Sequence, residues 1–88
     1  MFGENHKRSH IEVMADILRL GEAGKTEIMF SANMSYLQLQ KYLQYLTEGG
    51  FLKRVVVPNP GTKYCVTRKG ERLLRSIDVV LDMLQLKE

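Results

Sequence analysis

Amide, cationic and aromatic side chains recur at helical spacing in the middle of the chain. Gln40, Lys41 and Gln44 share one side of a predicted helix, and Gln38 and Tyr45 lie at the edge of that side. A glutamine can make two hydrogen bonds to adenine, and a lysine can reach guanine or a phosphate. This face could therefore read base edges in a major groove, and the alternative is an ordinary solvated helix face.

The opposite side of the same helix is apolar. Leu39, Leu43 and Leu46 recur at spacings of four and three, so this side is expected to pack into a core. Leu37 falls on the polar side, where it could contact a thymine methyl group. The alternative is that Leu37 is a core residue.

Positive charge is concentrated after this helix. Residues 53–75 contain seven Lys or Arg and one acidic residue, in a chain of net charge +3. Such a block is typical of contacts with a polyanion, because each phosphate that a cation neutralises releases counterions. Four of these cations surround the hairpin that is predicted over residues 51–67, namely Lys53, Arg54, Lys63 and Arg68. Solubility is the alternative role for them.

Local signals place these residues on regular elements. Ser9 with Glu12, and Ser35 with Gln38, each fit the capping box that begins a helix. Asn33 tolerates the left-handed conformation of a tight turn. The predicted order is a helix over about 9–20, a short helix over 25–32, a helix from Ser35 to Glu48, and strands over 51–57 and 63–67. The last helix is predicted over 68–87, with Thr67 as its cap or with a transition turn at Arg68-Lys69.

Residues 58–62 form the predicted turn between the two strands. Proline presets φ and glycine accepts positive φ, so the run Pro-Asn-Pro-Gly-Thr is strong turn chemistry. Asn59 at its tip could enter a minor groove, although a turn role is sufficient to explain it.

Apolar rows predict which helix faces are buried. In the first helix the row is Ile11, Met14, Ala15 and Leu18. In the last helix the row runs to the end, beyond what a small monomer can cover, and this predicts a homodimer. Asp78 and Asp82 lie near Arg72 and Arg75 and permit pairs between antiparallel copies. The predicted dimer interface consists of Leu74, Ile77, Val80, Leu81 and Leu84.

Composition excludes several classes of protein. The 88 residues suit one domain, and a single cysteine excludes an internal disulfide and a cysteine-rich zinc site. Hydrophobic residues make up 44% and charged residues 26%, and no apolar run is long enough to span a membrane. No apolar signal core begins the chain, so an intracellular, reduced setting is expected.

Catalytic patterns are weak. Gly24-Lys25-Thr26 resembles the end of a P-loop, but Arg19 stands where the first glycine is required, and a helix rather than a strand is predicted before it. Lys25 is more simply a phosphate contact or a solvated side chain. Cys65 has no evident base, and His6 with His10 could chelate a metal only if the first helix extended backwards. We therefore expect no enzyme, cofactor or metal, and no small-molecule ligand is indicated.

The run from Gly24 to Tyr36 resembles a family signature. Lys25-Thr26, Ile28-Met29 and the block Ala32-Asn33-Met34-Ser35-Tyr36 match small archaeal dimeric winged-helix DNA-binding proteins, which include chromatin-associated proteins and predicted transcriptional regulators. The match covers about residues 9–75 without gaps. The resemblance implies three helices, a two-stranded wing and a long C-terminal helix that pairs as an antiparallel coiled coil. It also implies that the third helix and the wing contact DNA.

The expected fold is therefore α+β and mostly helical. Residues 1–70 would form the winged helix-turn-helix, continuous with a dimerisation helix over 71–88. The expected function is binding of double-stranded DNA as a transcription regulator or nucleoid-associated protein in the cytoplasm. The alternative is a protein-interaction module for an acidic partner. The predicted DNA contacts are Ser35, Tyr36, Gln38, Gln40, Lys41, Gln44, Tyr45, Lys53, Arg54, Asn59, Lys63 and Arg68.

Overall fold

A computed structural model describes residues 9–58 and 61–85 of the chain. Asn59, at the tip of the predicted turn, lies outside the described residues. The order of elements agrees with the prediction except for one additional strand. The elements are α1 His10–Arg19, β1 Glu22–Ala23, α2 Lys25–Ala32, α3 Tyr36–Glu48, β2 Leu52–Val57, β3 Gly61–Val66 and α4 Arg68–Leu84.

Helix α1 begins with the predicted capping box. The Ser9 hydroxyl accepts from the Glu12 backbone N–H, and the Glu12 carboxylate accepts from the Ser9 N–H at 2.8 Å. The prediction that Ile11 is buried is wrong, because this side chain is exposed. Helix α1 packs on two sides. Ile17 lies in the main core, which is formed by buried residues of α1, α2, α3 and the sheet, and Ala15 packs against α4 in a second, smaller cluster.

The turn between α2 and α3 has the predicted geometry. Asn33 adopts a left-handed conformation with φ 53°, and its N–H bonds the Met29 carbonyl. The second capping box, between Ser35 and Gln38, then begins α3. The predicted leucine row of α3 is confirmed, since Leu39, Leu43 and Leu46 are all buried in the main core.

The sheet has three antiparallel strands in the order β1-β3-β2, where two were predicted. Strand β1 pairs Glu22 with Cys65 and Ala23 with Tyr64. A strand of two residues is too short to show an alternating pattern, so the sequence did not predict it. A strand therefore does precede Gly24, although the missing glycine at Arg19 still argues against a P-loop.

The wing consists of β2 and β3. Strand β3 begins at Gly61, two residues earlier than predicted, because Gly61 and Thr62 pair with Val57 and Val56. Cross-strand hydrogen bonding therefore outweighs the turn preference of these two residues, and the turn is shorter than the predicted 58–62.

Helix α4 begins at the predicted cap, where the Thr67 hydroxyl accepts from the Gly70 N–H at 3.0 Å. Ile77 and Leu81 are buried beside Ala15 of α1. The prediction that Leu81 lies beyond the reach of a monomer core is therefore wrong, and the burial of Ile77 likewise needs no second copy. Leu74 is half-buried against the same cluster.

A side-chain pair also joins α1 to α4. The Arg19 guanidinium donates both of its terminal nitrogens to the Asp78 carboxylate, at 3.0 and 3.1 Å. This hydrogen bond raises the pKa of Arg19, and desolvation opposes the rise in part. Asp78 is thus engaged within its own chain, so a pair between Asp78 and an arginine of a second copy, which the sequence permits, would compete with Arg19.

Candidate nucleic-acid interface

Helix α3 presents its polar side to solvent as predicted. Gln40, Lys41, Gln44 and Tyr45 are all exposed. Leu37 is 74% exposed, which excludes a role in the core. The leucine row holds α3 against the main core from behind, so the exposed side is presented by a fixed helix. A helix held in this way can enter a major groove without rearrangement.

Part of the predicted contact set is used by α3 itself. The Ser35 backbone N–H donates to the Gln38 side-chain carbonyl at 3.2 Å, which completes the capping box. The Gln44 amide nitrogen donates to the Glu48 carboxylate at 3.1 Å. Ser35 and Gln38 therefore orient the start of the helix, and the Gln44 amide must leave Glu48 before it can donate to a base.

A groove of about 320 Å³ lies between α2, α3 and the wing. Lys25 borders it from the first turn of α2, and Arg54 borders it from β2. The amide groups of Gln40 and Gln44 form its α3 side. We call this feature the cationic groove, because two cations flank the two amides. Among the described residues, its lining is Lys25, Gln40, Leu43, Gln44, Thr47, Glu48, Arg54 and Tyr64.

Lys25 is the member of this groove that the predicted contact set lacks. Its position at the first residue of α2 is visible in the sequence, but its distance from α3 is not. The structure brings its ammonium to 5.6 Å from the centroid of the Tyr36 ring. A cation at this distance over an aromatic face is attracted to it, so Lys25 and Tyr36 support each other at the edge of α3.

Thr47 also lines the groove. Its hydroxyl oxygen is buried and has no hydrogen-bond partner among the described residues. A buried polar atom without a partner is costly, and the packing around Thr47 has to offset that cost.

The wing separates the predicted cations onto two faces. Cross-strand partners share a face of a sheet, and Arg54 pairs with the buried Tyr64 on the face turned toward α3. Lys53 pairs with Cys65 on the outer face. Lys63 lies on that outer face too, and its ammonium is 3.6 Å from the Glu22 carboxylate.

Arg68 takes a third position. It is the first residue of α4, is exposed, and is not part of the groove's lining. The basic block is therefore continuous in sequence but divided in space, and within the described residues only Arg54 of its members lines the cationic groove.

Among the described residues, no three His, Cys, Asp or Glu side chains come close enough together to hold a metal ion. None of the described helices is both long and apolar enough to cross a membrane.

A helix-turn-helix followed by a hairpin and a closing helix defines the winged-helix class. A model of the winged helix-turn-helix family matches residues 7–85, and the chain belongs to that family. The resemblance read from Lys25 to Tyr36 is thereby confirmed.

Solved structures and sequence relatives agree with this assignment. Sso10a-2, a DNA-binding protein from Sulfolobus solfataricus, is 30% identical with a TM-score of 0.81, over 89% of this chain and 83% of that chain. A putative transcriptional regulator from Salmonella typhimurium is 28% identical with a TM-score of 0.70, over 89% and 73%. An uncharacterized protein of Methanocaldococcus jannaschii is 32% identical over 93% of this chain and 82% of the relative.

Proposed function

We propose that this protein binds double-stranded DNA as a homodimer and acts as a transcription regulator or nucleoid-associated protein, which would locate it on the chromosome in the cytoplasm. The observation that carries the proposal is the cationic groove beside the exposed side of α3. Lys25 and Arg54 border this groove and could contact phosphates beside a helix whose Gln40 and Gln44 can reach base edges. The DNA-binding relative Sso10a-2 supports the same function.

The two faces of the wing would then have different roles. Arg54 faces α3 and would contact the same duplex as Gln40 and Lys41. Lys53 and Lys63 face away, and Lys63 is already paired with Glu22. We therefore assign the main phosphate contact of the wing to Arg54, and expect the two lysines to contribute less.

The homodimer is proposed from the exposed side of α4. Val79, Val80, Met83 and Leu84 lie within two turns of the helix and are exposed in the single chain. A contiguous apolar patch of this kind is typical of an interface. Antiparallel pairing of two α4 helices through this patch would cover it with the same patch of the second copy.

The test compares Arg54→Gln with Lys53→Gln, adjacent substitutions on opposite faces of β2. Fluorescence anisotropy of a labelled random duplex is measured across a salt series. We expect binding that weakens steeply with salt. R54Q should make the negative slope of log binding constant against log salt concentration shallower by about 0.9, the value for one phosphate contact. K53Q should change the slope much less.

Absence of duplex binding by the wild-type protein at low salt would sink the DNA proposal and favour an acidic protein partner. Equal losses in the two variants would contradict the assignment of Arg54. A preference for one site of roughly 10³-fold or more over bulk DNA would indicate a regulator rather than a general nucleoid protein.

A further inference from the structure

A second cleft lies on the other side of α3, between α3 and the start of α1. It has a volume of about 480 Å³, within the range of small-molecule sites in proteins. We call it the aromatic cleft. Its lining consists of His10, Met14, Gln38, Lys41, Tyr42 and Tyr45.

The walls of the aromatic cleft suit a flat apolar ring. Tyr42 and Tyr45 supply two aromatic rings, and Met14 supplies a polarizable thioether that packs well on aromatic groups. The Tyr42 hydroxyl lies 2.6 Å from Nδ1 of His10, with their ring centroids 5.8 Å apart. This hydrogen bond joins α3 to α1 and holds one wall of the cleft in place.

The polar groups of the cleft favour an anion. The ion pairs among the described residues do not include Lys41, so its charge is available to a ligand. The side-chain carbonyl of Gln38 is held by the capping box, which leaves its amide nitrogen as a donor. Among the described residues, neither Asp nor Glu contributes to the lining. A carboxylate could therefore accept hydrogen bonds from Lys41 and Gln38 at the edge of the cleft.

We propose that the aromatic cleft binds a small planar aromatic carboxylate, and that a bound ligand weakens DNA binding. Lys41, Gln38 and Tyr45 lie on the exposed side of α3 or at its edge. A ligand that occupies these groups removes them from a duplex and adds a carboxylate that repels phosphates. The binding half of the proposal is independent of the proposed function, and the regulatory half depends on it.

The first experiment tests the site by NMR. Naphthalene-2-carboxylate is titrated into the uniformly ¹⁵N-labelled full chain, beside the neutral isostere naphthalene-2-carboxamide. We expect saturable amide shifts confined to the start of α1 and to residues 38–45 of α3, with the carboxylate bound more tightly. Lys41→Met should weaken carboxylate binding about tenfold and leave the carboxamide unchanged, because it removes one charge-assisted hydrogen bond. Lys63→Met, the same substitution on the outer face of the wing, should change neither.

Three outcomes would overturn the site. The first is the absence of saturable shifts up to about 10 mM ligand, a concentration at which even weak binding would be detected. The others are equal affinity for the carboxylate and the carboxamide, and shifts centred on the wing.

The second experiment measures duplex affinity by anisotropy with the same carboxylate. At a ligand concentration ten times its own Kd, competition should weaken DNA binding about tenfold. Unchanged DNA affinity at saturation would overturn the regulatory half. A protein that binds the carboxylate but no DNA would refute the proposed function and leave the site supported by the NMR result.

Discussion

Gly70 allows α4 to approach the end of α3. A side-chain carbon at this position would collide with the Phe51 carbonyl oxygen and would lie 2.7 Å from a methyl group of Val66. The neighbouring Lys69 donates to the Gly49 carbonyl at 2.8 Å and lies 4.9 Å from the Phe51 ring centroid. A cation at the carboxyl end of a helix is stabilising, so Lys69 and Gly70 together hold α4 on α3.

We expect Gly70→Ala to destabilise the protein. Alanine gains roughly 1 kcal/mol in helix propensity over glycine. Forcing a methyl group against a backbone oxygen costs more, because overpacking costs about 1–3 kcal/mol even among movable side chains and the backbone cannot yield. The midpoint of thermal unfolding should fall by several degrees, at about 4–8 °C for each kcal/mol.

Gly24→Ala is the matched control for this substitution. A side-chain carbon at Gly24 meets its nearest neighbour, the Thr62 carbonyl oxygen, at an ordinary 3.7 Å. Its cost should be limited to the weaker helix-capping preference of alanine. A G70A protein as stable as the G24A protein would contradict the close approach of α4 to Phe51.

At the scale of elements, the capping box of α3 sets where the recognition surface begins. The Ser35 hydroxyl accepts from the Gln38 N–H at 3.2 Å. Without it the first turn of α3 would fray, and Tyr36 at its start would lose its fixed position beside Lys25.

Ser35→Ala should lower the free energy of unfolding by about 1 kcal/mol, the usual cost of losing a serine cap. Chemical denaturation followed by circular dichroism measures this. Ser31→Ala, in the exposed part of α2, makes the same change where the structure shows no cap, and alanine is the better helix former there. Equal destabilisation by S31A and S35A would show that the cap contributes nothing specific.

The Arg19–Asp78 pair tests how α1 and α4 are joined. Both side chains are partly exposed, at 46% and 26%, so solvent screens the pair and its coupling should stay below about 1 kcal/mol. A double-mutant cycle with Arg19→Met and Asp78→Asn measures the coupling, and added salt should reduce it.

The pH dependence of this coupling follows from the raised pKa of Arg19. A group whose pKa is raised on folding stabilises the protein below its unfolded pKa and loses that contribution as the pH rises through its folded pKa. Both values for arginine lie far above neutrality, so the coupling should be constant between about pH 6 and pH 9. A coupling that falls within this range would require another titrating group.

At the scale of the whole molecule, apolar surface remains that the single chain does not cover. Helix α4 buries one side against α1 through Ile77 and Leu81, and leaves Val79 and Met83 in solvent on another side. A chain of this size gains limited stability from its own core. Packing of the exposed apolar side of α4 against a second copy would bury that side and add stability.

Met83→Glu should therefore weaken self-association at least tenfold, because it introduces a charge into the apolar contact. Sedimentation equilibrium over a range of concentrations measures the dissociation constant. Phe30→Glu is the control, since Phe30 is 83% exposed and Met83 is 77% exposed, but Phe30 lies on α2. A wild-type monomer at high concentration, or an M83E protein that associates as the wild type does, would contradict the proposed interface.

The sequence by itself determined the local structure of this protein. The capping residues Ser9, Ser35 and Thr67, the left-handed Asn33 and the leucine row of α3 could all be read from it. These features depend on interactions between residues three or four apart, so neighbouring residue types are sufficient to predict them. The exposed side of α3 was predictable for the same reason.

Only the tertiary structure decided which distant residues share a surface. It paired the two-residue β1 with β3, buried Leu81 beside Ala15, and turned the Arg54 face of β2, rather than the Lys53 face, toward α3. It also brought Lys25 and Arg54 to one groove across 29 positions of the chain (54 minus 25). Each of these outcomes depends on contacts between segments far apart in sequence, where packing against neighbouring elements outweighs the local pattern.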